Sequence, residues 1–363
     1  MIILAAAIIL SLSNSGIISK ANKAKTDSDN ANLKEYVNTL RAEWELMTAE
    51  ERTESGAATF EDYANKKLAD NGYKQRLSED GILMNEAAAA ALKEGIKVGD
   101  VVTGYTVKAT TYTTSGEENT CDPDNYTETT PQPNTVTTNT SVTWKYLGIN
   151  DNGEIEIIAD LGTTAVAANT KVALGGKGGY LKGPEMLNIV CDKLYSVDGK
   201  GTARSMNMED VIGILEYNGP KGKYFLDTNE IETDKPLTIG EIGNVSGSTP
   251  DGKNIETYKV DYYDIDKTNH SSRITNNTSR KDLVYQTNQY WVASHCPVVL
   301  INNGTGNVEF SIRSVNSSSV GVTNMFHSFN SSNYDTFVPR PVVTLNSNVK
   351  LTPNADKTEW AIS

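Results

Sequence analysis

The feature that most constrains this chain is the run MIILAAAIIL at residues 1–10, in which every side chain is apolar. A helix of ten residues rises only about 15 Å, half of the roughly 30 Å hydrocarbon thickness of a bilayer, so the run as it stands is too short to span a membrane. A secretory signal peptide is the alternative, but no basic residue precedes the run and no small-residue cleavage site follows it. We therefore expect the run to be buried against lipid or against copies of itself.

A long amphipathic helix is predicted after this run. Residues 22–51 contain neither glycine nor proline, and apolar side chains recur at spacings of three and four residues, as on one buried helix face. The recurring residues are Leu33, Tyr36, Leu40, Trp44 and Met47. Residues 13–16, with the sequence SNSG, form a polar joint between the apolar run and this helix.

The rest of the chain is predicted to contain a helical connector and a β-rich domain. In the connector, one helix begins at Thr59 and ends at Gly72, and another covers residues 86–94. From Lys97 onward the pattern alternates as in strands, with a hairpin turn at residues 151–153. The predicted domains are residues 1–52, 53–96 and 97–363, and the last contains a threonine-rich insertion, expected to be a mobile loop, at residues 109–143. Further helices are predicted to start at Met186 and at Asn207.

Charge and residue counts exclude several classes of function. The net charge of -13 repels nucleic acid and anionic membrane surfaces, so neither is expected as a partner. Three cysteines are too few for a disulfide scaffold, although a Cys191–Cys296 bridge is compatible with the count. The three histidines have no metal-ligand spacing, and the acidic residues at 261–266 lack the spacing of an EF-hand loop for calcium. We predict no catalytic residue, no metal and no cofactor, and thus no enzyme.

The stretch SVNSSSVGVTNMFHSFNSSN at residues 314–333 predicts a polar, adaptable surface. Eleven of its twenty residues are asparagine or serine. The remaining apolar side chains are too few to form a core, whereas small polar residues suit an adaptable binding surface. In an alternating strand, Val315, Val320, Val322 and Phe326 anchor the segment. The residues predicted to face a ligand are Asn316, Ser318, Asn324, His327, Asn330, Ser332 and Tyr334. An ordinary surface loop rich in asparagine and serine is the alternative, and Arg313 and Arg340 are interpreted as structural.

The N-terminal segment, residues 5–45 with the sequence AAAIILSLSNSGIISKANKAKTDSDNANLKEYVNTLRAEWE, resembles the N-terminal helix of type IV pilin-like proteins of Gram-positive bacteria. This resemblance implies that an apolar helix first anchors the subunit in the membrane and then packs in the core of a filament. The implied polymerisation residues are Ile2, Ile3, Leu4, Ile8, Ile9 and Leu10. A prepilin peptidase site does not precede the segment, so we expect the chain to begin inside that helix, by truncation or by a misplaced start.

The C-terminal part contains YWVASH at 290–295, EFSIRSVNSSSVG at 309–321 and VPRPVVTL at 338–345. These motifs resemble the closing pattern of C-type-lectin-like domains with the fold of formylglycine-generating enzymes. They are also similar to variable proteins of diversity-generating retroelements. The resemblance implies that the region between the tryptophan motif and the last strand is a binding surface.

Together these observations predict an α+β chain in which a long N-terminal pilin-like helix is followed by short helices and a mixed, C-type-lectin-like β-rich domain. The implied function is that of a structural subunit of an extracellular type IV pilus-like filament on a bacterial surface. Its partners would be copies of itself, assembled after passage through the inner membrane, and an unknown protein or glycan ligand. The alternative is a membrane-tethered, monomeric ligand-binding surface protein.

Overall fold

The computed structural model describes residues 17–114, 134–217, 222–226, 229–233, 237–259, 280–302, 305–328 and 331–363. These residues form two compact units. The first runs to Glu94 and includes Ile149–Ile155, and the second comprises Gly95–Gly148 and Glu156–Ser363. No helix in the described ranges is both long enough and apolar enough to cross a membrane.

The first unit is mainly helical. Its elements are α1 (Ile17–Leu46), α2 (Ala49–Glu54), α3 (Phe60–Asp70), β1 (Arg76–Leu77), β2 (Leu83–Met84) and α4 (Glu86–Glu94). The sequence prediction is confirmed for α3. This helix begins after Thr59, whose side chain accepts a hydrogen bond from the backbone N–H of Asp62. It ends before Gly72, which has a φ of 77°. The prediction is also confirmed for α4, which Gly95 ends at a φ of 93°.

The core of the first unit lies between α1 and α3. Leu33, Val37 and Leu40 on one face of α1 are buried in the same cluster as Tyr63 and Leu68 of α3. Spacings of four and three residues bring the α1 side chains onto one face. The amphipathic pattern predicted for this segment is therefore confirmed at Leu33 and Leu40.

The predicted fold class, with a long pilin-like helix at the N-terminus, is wrong. Among the described residues no helix begins at the N-terminus, because the first starts at Ile17 and ends at Leu46 instead of continuing to Glu51. The helix ends before Thr48, whose backbone is extended and which is the N-cap of α2. Thr48 and Glu51 form a capping box: the Thr48 N–H donates to Glu51 Oε2 at 2.7 Å, and the Glu51 N–H donates to Thr48 Oγ1 at 3.2 Å. A helix of 20 residues, Gly176–Tyr195, lies far along the chain, and the described residues form a mixture of helices and sheets.

The predicted polymerisation residues Ile2, Ile3, Leu4, Ile8, Ile9 and Leu10 lie outside the described residues. The polar joint at residues 13–16 lies outside them as well. The filament contacts expected of these residues stay predictions.

The second unit is built on two large sheets. The seven-stranded sheet has the order β18 (Leu351–Pro353), β19 (Glu359–Ile362), β3 (Val101–Thr103), β6 (Thr143–Ile149), β7 (Ile155–Asp160), β17 (Pro341–Leu345) and β9 (Gly201–Ser205). The six-stranded sheet has the order β15 (Ser331–Ser332), β14 (Val320–His327), β13 (Thr305–Val315), β12 (Tyr290–Asn302), β16 (Tyr334–Pro339) and β8 (Val172–Gly175). Separate pairs are β4 (Thr111–Thr113) with β5 (Thr135–Thr137) and β10 (Gly222–Leu226) with β11 (Asn229–Thr233).

The helices of this unit are α5 (Gly176–Tyr195), α6 (Met208–Ile214), α7 (Ile239–Ile242) and α8 (Lys281–Val284). Helix α5 contacts strands of both sheets. It begins ten residues before the predicted start at Met186, whereas α6 follows its predicted N-cap Asn207, which forms a capping box with Asp210. At Gly183 a Cβ atom would lie 3.3 Å from Leu174, so this glycine lets α5 approach β8 closely.

The described part of the predicted threonine-rich insertion contains a strand pair. Within residues 109–143, β4 pairs with β5 and Val136 is buried, while residues 115–133 lie outside the described part of the chain.

The chain passes from the six-stranded to the seven-stranded sheet at Arg340, which separates β16 from β17. This crossing brings the C-terminal motifs together.

Candidate binding surface

The scaffold of the candidate surface is held by Arg340, whose side chain is fully buried. Its guanidinium donates hydrogen bonds to the Tyr290 hydroxyl at 2.9 Å, to the Ala159 carbonyl at 2.9 Å and to the Leu283 carbonyl. The Tyr290 hydroxyl donates in turn to the Val284 carbonyl at 2.7 Å, and burial raises the pKa of Tyr290 to about 12. The phenol therefore stays protonated, and Arg340 has the structural role that the sequence suggested.

Trp291 fixes the neighbouring position on β12. Its indole Nε1 donates to the Val172 carbonyl on β8 at 2.7 Å, and its ring lies 4.6 Å from that of Phe337 on β16. The tryptophan motif at 290–295 and the final motif at 338–345 thus meet in one buried site. They position the hairpin of β13 and β14, which carries most of the predicted ligand-binding residues.

Asn316 forms the turn of this hairpin. Its Oδ1 accepts hydrogen bonds from the backbone N–H groups of Ser318 and Ser319, each at 2.9 Å, and its own N–H donates to the Ser319 carbonyl at 3.0 Å. An asparagine side chain commonly stabilises a turn in this way. Asn316 is therefore engaged in the turn, whereas Ser318 is exposed at its tip.

A β-bulge interrupts the hairpin in the middle. Phe310 pairs with Phe326 but Ser311 pairs with Asn324, so Met325 is the extra residue on β14. Met325 and Phe326 are both fully buried, and Lys177 of α5 lies 4.7 Å from the Phe326 ring. Because paired residues share a sheet face, the bulge directs Asn324 and His327 to the face opposite Phe326 although they are three residues apart.

This opposite face has two rows of side chains, set by the pairing of β12, β13 and β14. One row contains Cys296, Ser311 and Asn324, and the next contains Val298, Glu309 and His327. We call Ser311, Asn324, Glu309 and His327 the polar rows.

The polar rows differ in how their groups are satisfied. His327 Nε2 lies 3.5 Å from Glu309 Oε1 and 3.3 Å from Asn307 Nδ2, and the His327 and Glu309 side chains are about one-fifth exposed. Ser311 Oγ and Asn324 Oδ1 are buried, and neither has a hydrogen-bond partner in the described structure. The polar rows therefore combine a partly exposed histidine–carboxylate pair with two buried oxygen atoms that can still accept hydrogen bonds.

The structure does not bring the predicted ligand-binding residues into one site. Asn316 and Ser318 lie beyond one end of β14 and His327 lies at the other, about 23 Å along the strand at 3.3 Å per residue. Tyr334 is partly exposed on β16, paired with Gly175 of β8. Ser332 belongs to β15 but its side chain is outside the described part, and Asn330 lies outside it entirely.

Sequence reasoning missed Asn307, Glu309 and Ser311, the β13 half of this face. The signal was present, because polar residues at 307, 309, 311 and 313 alternate with Val308, Phe310 and Ile312. Such period-two alternation is typical of a strand with one face in the core and one polar face. The prediction used β14 alone, where the bulge breaks the alternation.

The other candidate chemical groups are the cysteines, His270 and the acidic residues at 261–266. Within the described chain, neither Cys191 nor Cys296 is in a disulfide bond, and burial raises the pKa of the Cys191 thiol far above its ordinary value. No group of three or more histidine, cysteine, aspartate or glutamate residues suited to a metal ion occurs among the residues that the structure covers. His270 and the acidic residues at 261–266 lie outside that part.

Comparisons with protein-family models, with curated proteins and with solved structures give no match. The resemblances to type IV pilin-like and C-type-lectin-like proteins therefore stay predictions. The polar rows and the N-terminal apolar run are the features from which a function is inferred.

Proposed function

We propose that the chain is a subunit of an extracellular filament of the type IV pilus kind, and that this filament displays the second unit on a bacterial surface for binding. The observation that carries the proposal is the order of features along the chain. An apolar run at residues 1–10 precedes α1, and α1 leads into a folded first unit and then into a β-rich unit with a polar sheet face.

The apolar run provides the free energy for self-association. Burial of a side chain as large as valine, leucine or isoleucine contributes about 1.5–3 kcal/mol, so the six residues Ile2, Ile3, Leu4, Ile8, Ile9 and Leu10 contribute on the order of 10 kcal/mol when copies pack together in water. This contribution is of the same order as the cost of association, about 4–15 kcal/mol, which it would have to offset.

Helix α1 supplies the mechanical connection between this run and the folded protein. It has 30 residues, a length of about 45 Å at 1.5 Å per residue. Leu33, Val37 and Leu40 anchor its second half in the core of the first unit. In the proposed assembly, α1 is therefore fixed to a packed core by its second half.

The polar rows support binding as the role of the displayed unit. Their partly exposed side chains, those of Asn324, Glu309 and His327, lie on a sheet and can donate and accept hydrogen bonds to a protein or a glycan. The net charge of -13 disfavours nucleic acid as the ligand.

The test compares two charged variants of the full chain in the producing bacterium. Ile8→Glu places a carboxylate in the apolar run, whereas the matched control Leu46→Glu places it on a leucine that is 86% exposed at the end of α1. Filaments are sheared from the cells and sedimented. We expect the wild-type chain and Leu46→Glu in the sedimented filaments, and Ile8→Glu only in the cell fraction.

Two outcomes would contradict the filament proposal. Sedimentation of Ile8→Glu together with the wild-type chain would show that the apolar run is not the assembly surface. A wild-type chain that stays wholly with the membrane as a monomer would favour the tethered binding protein instead.

A further inference from the structure

The β-bulge of the hairpin places two buried polar oxygen atoms opposite each other. Ser311 on β13 is fully buried, and Asn324 is its direct partner on β14, next to the extra residue Met325. In the portion of the chain that is described, Ser311 Oγ and Asn324 Oδ1 form no hydrogen bond. Buried polar atoms without partners are costly and uncommon in folded proteins, so this pair requires an explanation.

The spacing of the two residues suits a bridging guest. Directly opposed residues of an antiparallel pair have Cβ atoms about 4.5–5.5 Å apart. An oxygen atom placed between two side chains at that separation can make hydrogen bonds of about 2.8 Å to both. The bulge interrupts the regular hydrogen-bond ladder next to this pair.

The charge of the surroundings selects a neutral guest. Asn324 Oδ1 is an acceptor, so the guest must donate a hydrogen bond and cannot be a simple anion. Glu309 precedes Ser311 by two residues and Arg313 follows it by two, so both lie on the same sheet face, and their opposite charges together select neither a cation nor an anion. Water meets both conditions, because it donates to Asn324 and exchanges a hydrogen bond with the Ser311 hydroxyl.

We propose that Ser311 Oγ and Asn324 Oδ1 bind one ordered water molecule inside the sheet. This water stabilises the bulge, and the bulge directs Asn324 and His327 to the same face. It therefore positions the polar rows from within. The inference concerns the second unit alone and is independent of filament assembly.

The test uses the sign of a stability change in the full chain, solubilised in detergent. If Ser311 Oγ holds a water molecule, Ser311→Ala removes a hydrogen bond and lowers the denaturant midpoint. If Oγ is merely buried without a partner, the same variant removes a penalty and leaves the midpoint unchanged or raised. The matched control is Ser314→Ala on the same strand, which loses known hydrogen bonds to Thr323 and Gln289 and must lower the midpoint.

A second measurement keeps the proposal testable if a variant fails to fold. A crystal structure of the wild-type chain at about 1.5 Å resolution would show a density peak within about 3 Å of both Ser311 Oγ and Asn324 Oδ1. A direct Ser311–Asn324 hydrogen bond, or an unshifted or raised midpoint for Ser311→Ala, would overturn the proposal.

Discussion

The Tyr290 hydroxyl accepts a hydrogen bond of 2.9 Å from the guanidinium of Arg340, which also lies over the Tyr290 ring at 4.7 Å. Arg340 is the residue at which the chain crosses from the six-stranded to the seven-stranded sheet. This buried contact joins two motifs that are about 50 residues apart in sequence. The position of the β13–β14 hairpin relative to the rest of the second unit depends on it.

The first prediction concerns the Tyr290–Arg340 hydrogen bond. Tyr290→Phe removes an acceptor from a buried charge and should lower the free energy of unfolding by about 1.5–3 kcal/mol. Tyr105→Phe is the matched control, because that buried hydroxyl donates to the neutral carbonyls of Tyr195 and Gly201 and should cost only about 0.5–1.5 kcal/mol. Urea denaturation measures both, and a Tyr290→Phe effect no larger than the control would contradict the central role of Arg340.

The second prediction concerns Glu156, which lies beside Arg204 at 3.1 Å on the seven-stranded sheet. Burial is the largest effect and raises the pKa of Glu156 above its ordinary value of 4.5. The positive charge of Arg204 opposes this shift, but Arg204 also forms an ion pair with Asp210. A carboxyl group that holds its proton more tightly when folded makes stability fall as pH rises from 4.5 through the raised pKa. Glu156→Gln should remove this decline.

The control for Glu156 has the opposite sign. The Thr238 backbone hydrogen bond lowers the pKa of Glu241, so Glu241 contributes stability that is lost as pH falls. Denaturation of the wild-type chain and of the Glu156→Gln and Glu241→Gln variants between pH 4 and pH 7 distinguishes the two effects. Curves for Glu156→Gln and wild type that run parallel over this range would show that the proton affinity of Glu156 does not change on folding.

The third prediction separates turn formation from ligand contact. Asn316→Ala removes the acceptor of two backbone hydrogen bonds in the β13–β14 turn and should lower the free energy of unfolding by about 1 kcal/mol. Ser318→Ala, an exposed change in the same turn, should alter it by less than about 0.5 kcal/mol. If thermal denaturation gives equal effects, Asn316 is not the residue that fixes the turn.

The fourth prediction concerns Gly153 in the turn between β6 and β7. Its φ is 75°, and a Cβ atom there would overlap the Leu83 carbonyl and Met84 Cα. Gly72 has a similar φ of 77°, but no described atom lies within 4 Å of its Cβ position. Gly72→Ala should therefore cost only the backbone strain of about 1–2 kcal/mol, and Gly153→Ala clearly more. Equal losses in a denaturation experiment would mean that the Gly153 turn can move away.

Local patterns in the sequence predicted several helices but misplaced the ends of the two longest. The end of α1 was missed because residues 47–51 contain neither glycine nor proline, yet Thr48 and Glu51 form a capping box whose spacing is visible in the sequence. The start of α5 was missed for the opposite reason. Its first turns contain several glycines and Pro184, which disfavour a helix locally, and packing against both sheets overrides that preference.

The candidate surface could be predicted only in part. Val315, Val320 and Phe326 are buried as predicted, whereas Val322 is only half-buried. Alternation fails at Met325, since the bulge depends on how β14 pairs with β13, and no single strand contains that information. Asn316 was interpreted as a ligand contact because the turn between β13 and β14 was not recognised in the sequence, whereas its side chain stabilises that turn.

Cryo-electron microscopy of material sheared from the producing cells tests the filament proposal most directly. We predict helical filaments with residues 1–10 packed at the axis, α1 leading outward and the β-rich unit with its polar rows on the outside. Abundant chain present only as detergent-soluble monomers, with no filament containing it, would contradict the proposal and favour a tethered binding protein.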